Sequence, residues 1–371
     1  MHRREFLKKA AVTTTAGAAL GAVATSAMAQ APAQAQPVRW RQQSMWPKSL
    51  DTMQGSAEAF ARRVGQITEG RFEIRSHAAG EVVPPPQVFD AVSNGTVEAG
   101  HVLSSFFYGK NPAFAFDAGM PFGLNARQQF AWLYDGGGLE LMREVFKPYN
   151  LLPIPVGNVG VQMGGWFRKE IKSVADLKGL KFRIGGFGGT ILAKLGAVPQ
   201  QIPPGEIYGA LEKGVIDGAE WIGPYDDEKL GFHKVAKYYY TPGWWEGSAQ
   251  VTLLVNLKAW DSLSQAHKDA IDAAAGEQCM RMLAKYDAKN PEALRRLVAG
   301  GAQLRQFPKA VMDACYKATL EVCDEYAAKS ADFKRVYDAW RKFRDEENLW
   351  FRVAEDALDS YRYRISASAK K

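Results

Sequence analysis

A stretch of the chain between residues 158 and 246 concentrates side chains that could bind a small anion together with a cation. Arg183 lies on a predicted strand, and an arginine in a dry cleft suits a small carboxylate because its planar guanidinium forms two parallel charge-assisted hydrogen bonds. Gln162, Glu220 and Glu246 supply oxygen atoms at predicted strand ends and turns. Such oxygens are the ligands that a hard cation such as Ca²⁺ accepts. The residue types therefore indicate a binding pocket rather than a reaction centre.

Signatures of other chemistries are weak. Gly185-Gly-Phe-Gly-Gly189 follows a predicted strand, yet it is neither a G-x-G-x-x-G fingerprint nor followed by Lys-Ser or Lys-Thr. The 5 histidines show no pair at zinc-ligand spacing. No G-x-S-x-G elbow occurs, and no spacing of acidic residues marks a general acid and base. We therefore expect that the protein is not an enzyme; the alternative is a metal-dependent enzyme acting on a small carboxylic acid.

The N-terminus predicts export. A basic segment, Met1 to Lys9, precedes a mildly apolar stretch, Ala10 to Ala24, and Ala27-Met28-Ala29 supplies a cleavage site. The Arg3-Arg4 pair with the residues that follow it resembles a twin-arginine signal, and an ordinary secretory signal is the alternative. No other apolar run approaches the ~18 residues of a membrane helix. We expect a periplasmic protein whose signal peptide, residues 1–29, is cleaved after Ala29.

Removal of the signal changes the charge and sets the size of the mature chain. Residues 1–29 hold four basic residues and one glutamate, so the formal net charge of +7 falls to +4. This charge does not argue for nucleic acid as a partner. A mature chain of roughly 340 residues exceeds what one core usually serves, so two lobes are expected. Residues 30–37 are predicted to be a disordered mature N-terminus.

The three cysteines, Cys279, Cys315 and Cys323, fall in predicted helices. On one helix Cys315 and Cys323 would lie ~12 Å apart, which is too far for a disulfide. A bridge from Cys279 to either of them stays open in an oxidising compartment. We favour burial of all three as small hydrophobic side chains.

Predicted strands and helices alternate along the chain, as they do in α/β domains. The strands are predicted at 38–43, 71–75, 97–103, 151–157, 180–184, 198–202, 218–221 and 250–256. The helices are predicted at 53–68, 84–94, 126–134, 138–147, 190–195, 203–213, 265–287, 291–299, 309–330 and 332–361, with a helical turn at 174–179. We assign 38–157 with roughly 246–290 to lobe 1, 158–245 to lobe 2, and 291–371 to C-terminal helices that brace the lobes.

Several short sequence segments occur in an order that is typical of one family. They are Pro112-Ala-Phe-Ala-Phe116, Pro121-Phe-Gly123, Gly160-Val-Gln162-Met-Gly-Gly-Trp166-Phe, Leu177-Lys-Gly-Leu-Lys-Phe-Arg183, Ala210-Leu-Glu-Lys-Gly-Val-Ile-Asp217-Gly-Ala-Glu220-Trp221 and Trp245-Glu246. With them the chain after Gln36 resembles the extracytoplasmic solute receptors of tripartite ATP-independent periplasmic (TRAP) transporters, the DctP family. Within that family it is similar to the group that binds 2-oxo acids or 2-hydroxy acids, such as pyruvate and lactate, together with a metal ion.

The resemblance implies a metal site made of oxygen atoms. Gln162 matches a residue whose amide oxygen reaches the ion, Glu220 would supply carboxylate oxygens, and Trp221 its backbone carbonyl. Glu246 would add a further oxygen. The ion implied is Ca²⁺ or Na⁺, bridging protein and substrate carboxylate. From the residues alone, Glu220 could equally be a solvated acid at the end of a strand.

The resemblance also implies substrate-binding roles. Arg183 matches the arginine that holds the substrate carboxylate, and Gln162 lies beside the same ligand. Asn158 is similar to a position that donates a hydrogen bond to the ligand. Either Tyr108 or Phe107 would be the aromatic side chain that closes the pocket. Without the resemblance, Arg183 would be expected to form an ordinary ion pair.

The fold implied is a two-lobe periplasmic binding protein fold with hinge-crossing strands near Gly157 and Trp244 and long C-terminal helices. The lobes would close on a small carboxylate, which is then delivered to the small and large membrane subunits of a TRAP permease. A homodimer formed through the helix at 332–361 is a further hypothesis. The competing interpretations are a receptor for a different carboxylate class and a sensor or structural protein that acts through its C-terminal helices.

Overall fold

The computed structural model describes residues 37–368. The predicted export signal and residues 30–36 lie outside the described residues. The strands are β1 Val38–Ser44, β2 Phe72–His77, β3 Ala99–Val102, β4 Leu151–Asn158, β5 Gly165–Phe167, β6 Lys181–Arg183, β7 Val198–Gln200, β8 Gly218–Ala219, β9 Tyr238–Thr241, β10 Gln250–Asn256 and β11 Gln303–Gln306.

The helices surround these strands and extend beyond them at the C-terminal end. They are α1 Met53–Ile67, α2 Val88–Ser93, α3 Phe114–Ala118, α4 Ala126–Tyr134, α5 Gly138–Phe146, α6 Gly186–Lys194, α7 Pro204–Glu212, α8 Pro224–Leu230, α9 Leu257–Asp261, α10 Gln265–Ala299, α11 Lys309–Lys329, α12 Ala331–Phe351 and α13 Ala357–Ser368. Short 3₁₀ turns occur at Pro85–Gln87, Ser104–Phe107, Lys147–Tyr149, Val174–Leu177 and Phe232–Lys234, and a π-helical turn, Arg352–Asp356, joins α12 to α13.

Two sheets organise the chain. The first has the order β2-β1-β3-β10-β4, in which β1 is parallel to β2 and β3 while β10 is antiparallel to β3 and β4. The second has the order β11-β9-β5-β8-β6-β7 and is also mixed. All seven residues of β10 are buried, as expected for an apolar strand covered on both faces. This two-lobe α/β arrangement confirms the predicted fold class.

The chain passes between the sheets in three places. Residues 159–164 link β4 to β5, residues 242–249 link β9 to β10, and α10 leads back to β11 in the second sheet. The first two links are the hinge-crossing segments expected from the sequence. Because β11 belongs to the second sheet, part of the C-terminal region joins that lobe. The exact lobe boundaries stay a prediction.

Hydrogen bonds join the two halves beside the cleft. Thr52 Oγ1 of the first half donates to Asp226 Oδ1 at 2.7 Å, and Tyr286 OH of α10 donates to Asp226 Oδ2 at the same distance. In a separate contact, Gln201 Nε2 donates to the carbonyl oxygen of Phe106 at 3.1 Å. The two lobes are therefore joined by hydrogen bonds from different elements.

Several elements differ from the sequence-based prediction. Strands β5, β9 and β11 and helices α3, α8 and α9 were not predicted, and the helix predicted at 332–361 is divided by the π-helical turn Arg352–Asp356. Helices were predicted at 265–287 and 291–299 because proline lacks the amide hydrogen that a helix interior needs. The structure instead has one helix, α10, that continues through Pro291. Buried side chains on both sides of the proline, Tyr286 and Leu297, pack against the hydrophobic core and hold the two parts in line. The short strand β11 was not predicted, since its Gln-Leu-Arg-Gln sequence gives a weak apolar pattern.

The three cysteines lie within the described residues and are all free and buried. Burial raises the pKa of each thiol to about 12, so none is a ready nucleophile. The expectation that they serve as small hydrophobic side chains is confirmed, and the possible bridge from Cys279 is absent. Within residues 37–368, no helix is both long and apolar enough to cross a membrane.

Asp117 gives the first lobe a predicted pH dependence. Its fully buried carboxylate accepts hydrogen bonds from Ser104 Oγ and from Thr252 Oγ1, the latter at 2.6 Å. Burial raises its pKa to about 6, and the two hydroxyl donors partly oppose the rise. The folded chain therefore holds this proton more tightly than the unfolded chain, whose aspartates titrate near ~3.9. The contribution to stability is complete below that value and is lost as the pH rises through about 6.

We expect Asp117→Asn to remove this dependence, because the asparagine carbonyl still accepts both hydroxyl hydrogen bonds and carries no charge. Relative to the wild type, the variant should gain up to about 3 kcal/mol in free energy of unfolding between pH 4 and 8. Urea unfolding at several pH values measures this gain. The exposed Asp135→Asn is the control, and parallel curves for wild type and Asp117→Asn would contradict the assignment.

Candidate functional site

A narrow cavity, the anchor cavity, lies where segments from both sheets meet, and it has a volume of ≈ 320 Å³ including its open side. Its walls are formed by Leu103, Ser105, Phe106, Gln162, Arg183, Gly185, Glu220, Trp221, Ile222, Trp245 and Glu246. The wall residues lie at or just after the ends of β3, β6 and β8, or they belong to the two loop links between the sheets. Ligands of open α/β sheets bind beside the carboxyl ends of strands, so this position is the expected one for a ligand site.

Arg183, the last residue of β6, is 1% exposed. Its Nε donates to the carbonyl oxygen of Ile202 at 3.1 Å, and its Nη1 donates to the carbonyl and carboxylate of Glu220. The guanidinium carbon lies 5.1 Å from the Trp221 ring and 6.0 Å from the Phe106 ring. The remaining nitrogen, Nη2, is buried and has no hydrogen-bond partner in the described part of the chain. A buried donor without a partner is costly, which makes Nη2 a candidate to hold a ligand oxygen.

Glu220 follows β8 and pairs with Arg183 inside the cavity. Its Oε1 also accepts the amide hydrogen of Gly185 at a nitrogen–oxygen distance of 2.9 Å. Burial raises the pKa of this carboxyl, and the charge of Arg183 and the Gly185 amide oppose the rise. A carboxyl group and a guanidinium therefore lie side by side in the same buried space.

Glu246 and Gln162 form another part of the wall. Gln162 Nε2 donates to Glu246 Oε2 at 2.7 Å, while Gln162 Oε1 is buried without a hydrogen-bond partner among the described residues. Burial, and then the nearby charge of Glu220, raise the pKa of Glu246 well above its ordinary value. An unpaired amide oxygen close to two buried carboxyl groups is a donor set suited to a hard cation.

Asp227 stabilises the loop that carries Glu220 and Trp221. Asp227 of α8 accepts hydrogen bonds from Trp166 Nε1 at 2.9 Å and Tyr239 OH at 2.8 Å, and these two rings stack at 4.0 Å. The amide of Ile222 also points to Asp227, at 3.4 Å. Burial raises the pKa of Asp227 to about 7. This network ties the end of β8 to the core of the second lobe and fixes the backbone beside the cavity.

The donor set of the cavity differs from that of a transition-metal site. Within residues 37–368, no group of three or more His, Cys, Asp or Glu side chains could hold a metal ion. The cavity offers two carboxylates, one amide oxygen and backbone carbonyl oxygens, without sulfur or imidazole. Oxygen-only sites suit Ca²⁺ and similar hard cations rather than zinc.

The structure brings Arg183, Gln162, Glu220, Trp221 and Glu246 together as predicted. Asn158 is buried outside the cavity wall, where its side chain accepts from the Gly160 amide at 2.9 Å and lies 3.5 Å from Gln250 Oε1. Its contact with a ligand stays a prediction.

The aromatic side chain in the cavity wall is that of Phe106. Phe107 packs on Phe89 at 5.2 Å, and the hydroxyl of Tyr108 accepts a hydrogen bond from Thr190 Oγ1 at 3.4 Å. Neither of these predicted residues lines the anchor cavity, so their role toward a ligand stays a prediction. The position of Ser105 and Phe106 directly after the third strand was the available signal for their place in the wall.

Gly243 lies against the backbone that carries Gln162. Its amide donates to the Gln162 carbonyl oxygen at 3.1 Å, and a Cβ atom at this position would lie 2.7 Å from the carbonyl oxygens of both Gln162 and Met163. Any larger residue must therefore push the two links between the lobes apart.

We expect Gly243→Ala to displace Gln162 and Glu246 and to lower the free energy of unfolding by about 1–3 kcal/mol. Ligand affinity should fall with it, because both cavity residues depend on this contact. Thermal unfolding and ligand titration measure the two effects. The helical Gly205→Ala, which would meet no atom within 4 Å, should be neutral or stabilising; equal behaviour of the two variants would show that the contact is unimportant.

Two lobes that meet over a buried cavity lined by one arginine and several oxygen ligands define a solute-binding protein. Residues 43–330 match the family model described as bacterial extracellular solute-binding protein, family 7, or DctP. The Monocarboxylate 2-oxoacid-binding periplasmic protein of Nostoc sp. is 48% identical over 361 residues, which cover 97% of this chain and 99% of that protein.

Solved structures of TRAP solute-binding proteins are also similar. That of Bordetella bronchiseptica, a mixed-occupancy dimer with copurified calcium and picolinate at one active site, is 62% identical with a TM-score of 0.89, covering 90% of this chain and 99% of that one. That of Pseudoalteromonas atlantica, with bound sodium and pyruvate, is 38% identical with a TM-score of 0.85, covering 88% and 99%. The chain belongs to the DctP family of TRAP transporter solute receptors.

Proposed function

We propose that this protein is a periplasmic receptor that captures a small 2-oxo acid or 2-hydroxy acid, such as pyruvate or lactate, together with Ca²⁺ or Na⁺. Arg183 Nη2 and Gln162 Oε1 support this most strongly, because they are among the buried atoms of the cavity-wall residues that have no hydrogen-bond partner within residues 37–368. The first can only donate and the second can only accept. A carboxylate and a cation together would satisfy both.

The ion would be held by Gln162, Glu220, Glu246 and the backbone carbonyl of Trp221, and it would supply positive charge opposite Arg183. The charges of the site fit either ion. With both glutamates ionised, the cavity and a monocarboxylate carry two net negative charges, which Ca²⁺ balances. With Glu246 protonated, the sum is one negative charge, which Na⁺ balances. The relatives with bound calcium and with bound sodium support the assignment of these two ions.

Arg183 would hold the substrate carboxylate and set its orientation. Trp221 and Phe106 flank the guanidinium and keep water away from it, which strengthens its charged hydrogen bonds. Asn158 and the aromatic pair Phe107 and Tyr108 are proposed to assist ligand binding less directly. No turnover is expected, because the cavity carboxylates are engaged by Arg183, Gln162 and the proposed ion.

As a TRAP receptor, the protein would deliver its ligand to the small and large membrane subunits of the permease. We further propose that residues 1–29 are a twin-arginine signal peptide, which would place the mature chain in the periplasm. The family assignment to extracellular solute-binding proteins supports export.

A homodimer is proposed through the C-terminal helices. Helices α12 and α13 and the turn between them expose large apolar side chains, including Trp350 at 59% and Val353 at 71%. Apolar patches of this kind mark interaction sites, and the Bordetella bronchiseptica relative is a dimer. Light scattering should give twice the chain mass, and a monomer at concentrations of tens of micromolar would rule the dimer out.

Calorimetric titration tests the proposed function. Metal-stripped mature protein is titrated with pyruvate and lactate in the absence and in the presence of CaCl₂ or NaCl. We expect tight binding only with a metal ion present. Binding of sugar acids or dicarboxylates in preference to every 2-oxo and 2-hydroxy acid would favour a receptor for a different carboxylate class.

A further inference from the structure

Asp226, on the first turn of α8, connects the two lobes and the long helix α10. Its Oδ1 accepts a hydrogen bond from Thr52 Oγ1, directly before α1 in the first lobe, at 2.7 Å. Its Oδ2 accepts from the hydroxyl group of Tyr286, on α10, at 2.7 Å. Asp226 and Tyr286 are fully buried, and Thr52 is 2% exposed. Both oxygens of this carboxyl group are therefore occupied by hydroxyl donors inside the protein.

The loop directly before α8 carries the proposed ion ligands. Only Ile222 and Gly223 lie between Trp221 and the first residue of α8. The carbonyl oxygen of Ile222 accepts a hydrogen bond from the Met163 amide at 2.9 Å, which ties this loop to the link that carries Gln162. A displacement of the start of α8 would therefore move the Trp221 carbonyl oxygen relative to Gln162.

The bond between Thr52 and Asp226 belongs to the closed arrangement of the lobes. Binding proteins of this two-lobe type take up and release their ligands by a hinge movement. Thr52 and Asp226 lie on different lobes, so a movement that opens the anchor cavity separates the hydroxyl from the carboxyl group. The rings of Trp46 and Trp221, with centroids 6.1 Å apart, meet across the same boundary. Closure therefore forms a buried hydrogen bond and brings the ion-binding loop against the first lobe.

A neighbouring contact between the lobes lies at the surface and is weaker. Asp51 pairs with Lys229 of α8 and with Lys285 of α10, the latter at 2.8 Å. The Asp51 side chain is 50% exposed, and exposed ion pairs contribute little to stability. The bond to Asp226 has a larger effect, because without Thr52 a buried carboxyl oxygen would lose its partner in the closed state.

We propose that Asp226 is a positioning residue of the ligand site, which accepts the Thr52 hydroxyl on closure, fixes the ion-binding loop and so slows ligand release. This inference rests on the proposed function, because the loop holds the proposed ion. Asp226 does not line the anchor cavity and acts through the backbone of residues 221–223. The bond is present in the closed state and absent from the open state, so its free energy favours closure.

Thr52→Val tests this role, because valine has nearly the shape of threonine and lacks the hydroxyl donor. The Thr52 side chain makes no capping hydrogen bond to α1, so the helix start is unaffected. Stopped-flow tryptophan fluorescence of the full mature protein with CaCl₂ measures association and release of pyruvate. We expect release to be at least about tenfold faster and association to stay within about threefold of wild type. Thr52→Ser keeps the hydroxyl group and should restore slow release.

Thermal unfolding separates a positioning role from a merely structural one. Because the bond forms only on closure, Thr52→Val should unfold at the wild-type temperature without ligand and at a lower temperature with CaCl₂ and pyruvate. Thr319→Val is the control, since it removes a buried hydroxyl whose bond to the Cys315 carbonyl oxygen lies within α11, and it should leave release unchanged.

Two results would overturn the role of Asp226 and leave the proposed function intact. One is release of pyruvate from Thr52→Val at the wild-type rate. The other is an equal fall of its unfolding temperature with and without ligand, which would show that the bond is present in both states. Failure of the wild-type protein to bind any 2-oxo acid with Ca²⁺ or Na⁺ would overturn the proposed function and this inference together.

Discussion

Replacement of Arg183 by alanine is expected to abolish binding of pyruvate, with a loss of at least about 1,000-fold in affinity. Truncating one member of a buried charged pair costs about 2–5 kcal/mol, and here two charged interactions are lost. The substrate carboxylate loses its donor at Nη2, and Glu220 loses the guanidinium that opposes the effect of its burial. Calorimetric titration in the presence of CaCl₂ measures the effect.

Arg183→Lys tests whether ligand binding needs the planar guanidinium group or only a positive charge. A lysine supplies the charge but cannot reach Ile202, Glu220 and a ligand with separate nitrogen atoms. We expect its affinity for pyruvate to lie between those of wild type and Arg183→Ala. Arg168→Ala, an exposed arginine of the same lobe, is the matched control and should bind like wild type. Circular dichroism confirms that each variant is folded; a folded Arg183→Ala that binds pyruvate normally would disprove the role of this residue.

Replacement of Glu220 by glutamine should remove most of the metal dependence of binding. The glutamine carbonyl can still accept from the Gly185 amide and from Arg183, so the fold and the orientation of the arginine are retained. The negative charge opposite the ion is lost, and an amide oxygen is a weaker ligand for Ca²⁺ than a carboxylate. We expect calcium affinity to fall at least about 100-fold, and pyruvate binding to weaken with it.

Direct calcium titration of metal-stripped protein measures this loss. Glu206→Gln, which changes an exposed glutamate on α7, is the control for the change in net charge. If Glu220→Gln binds calcium as wild type does while Glu246→Gln does not, the ion lies nearer to Glu246 than proposed. Unchanged calcium binding in both variants would remove the metal site from this cavity.

The sequence predicted the chemistry of the cavity better than the direction of individual side chains. Residue type and position at strand ends and turns made Arg183, Gln162, Glu220 and Glu246 candidates. The family resemblance added Trp221 and favoured binding roles over ordinary ion pairs, and the structure gathers all five residues in one wall. The strands β4 and β10 were predicted within one residue of their observed bounds. Their buried apolar patterns are strong local signals.

Side-chain direction in a 3₁₀ turn could not be obtained in this way. Phe106, Phe107 and Tyr108 follow one another at the end of a 3₁₀ segment, where each residue turns the chain by about 120°. Only one of the three can face the cavity, and tertiary packing decides which one. Phe107 and Tyr108 find partners elsewhere, at Phe89 and Thr190, which leaves Phe106 in the wall.

The side-chain direction of Asn158 on its strand could not be predicted from the sequence either. It is the last residue of β4, and its register with Gln250 of β10 turns its side chain toward the Gly160 amide instead of the cavity. A shift of one residue would reverse that direction. The strand β11 and the helix that continues through Pro291 depend likewise on contacts with distant parts of the chain, which local patterns do not contain.

A crystal structure of the mature protein grown with CaCl₂ and pyruvate tests the central claim most directly. We predict an ion in contact with Gln162 Oε1, Glu220 and the Trp221 carbonyl oxygen, and a pyruvate carboxylate on Arg183 Nη2. Gln162 Oε1 and Arg183 Nη2, which have no hydrogen-bond partner within residues 37–368, should both become paired. Pyruvate bound elsewhere, or an anchor cavity that contains only water under these conditions, would contradict the account.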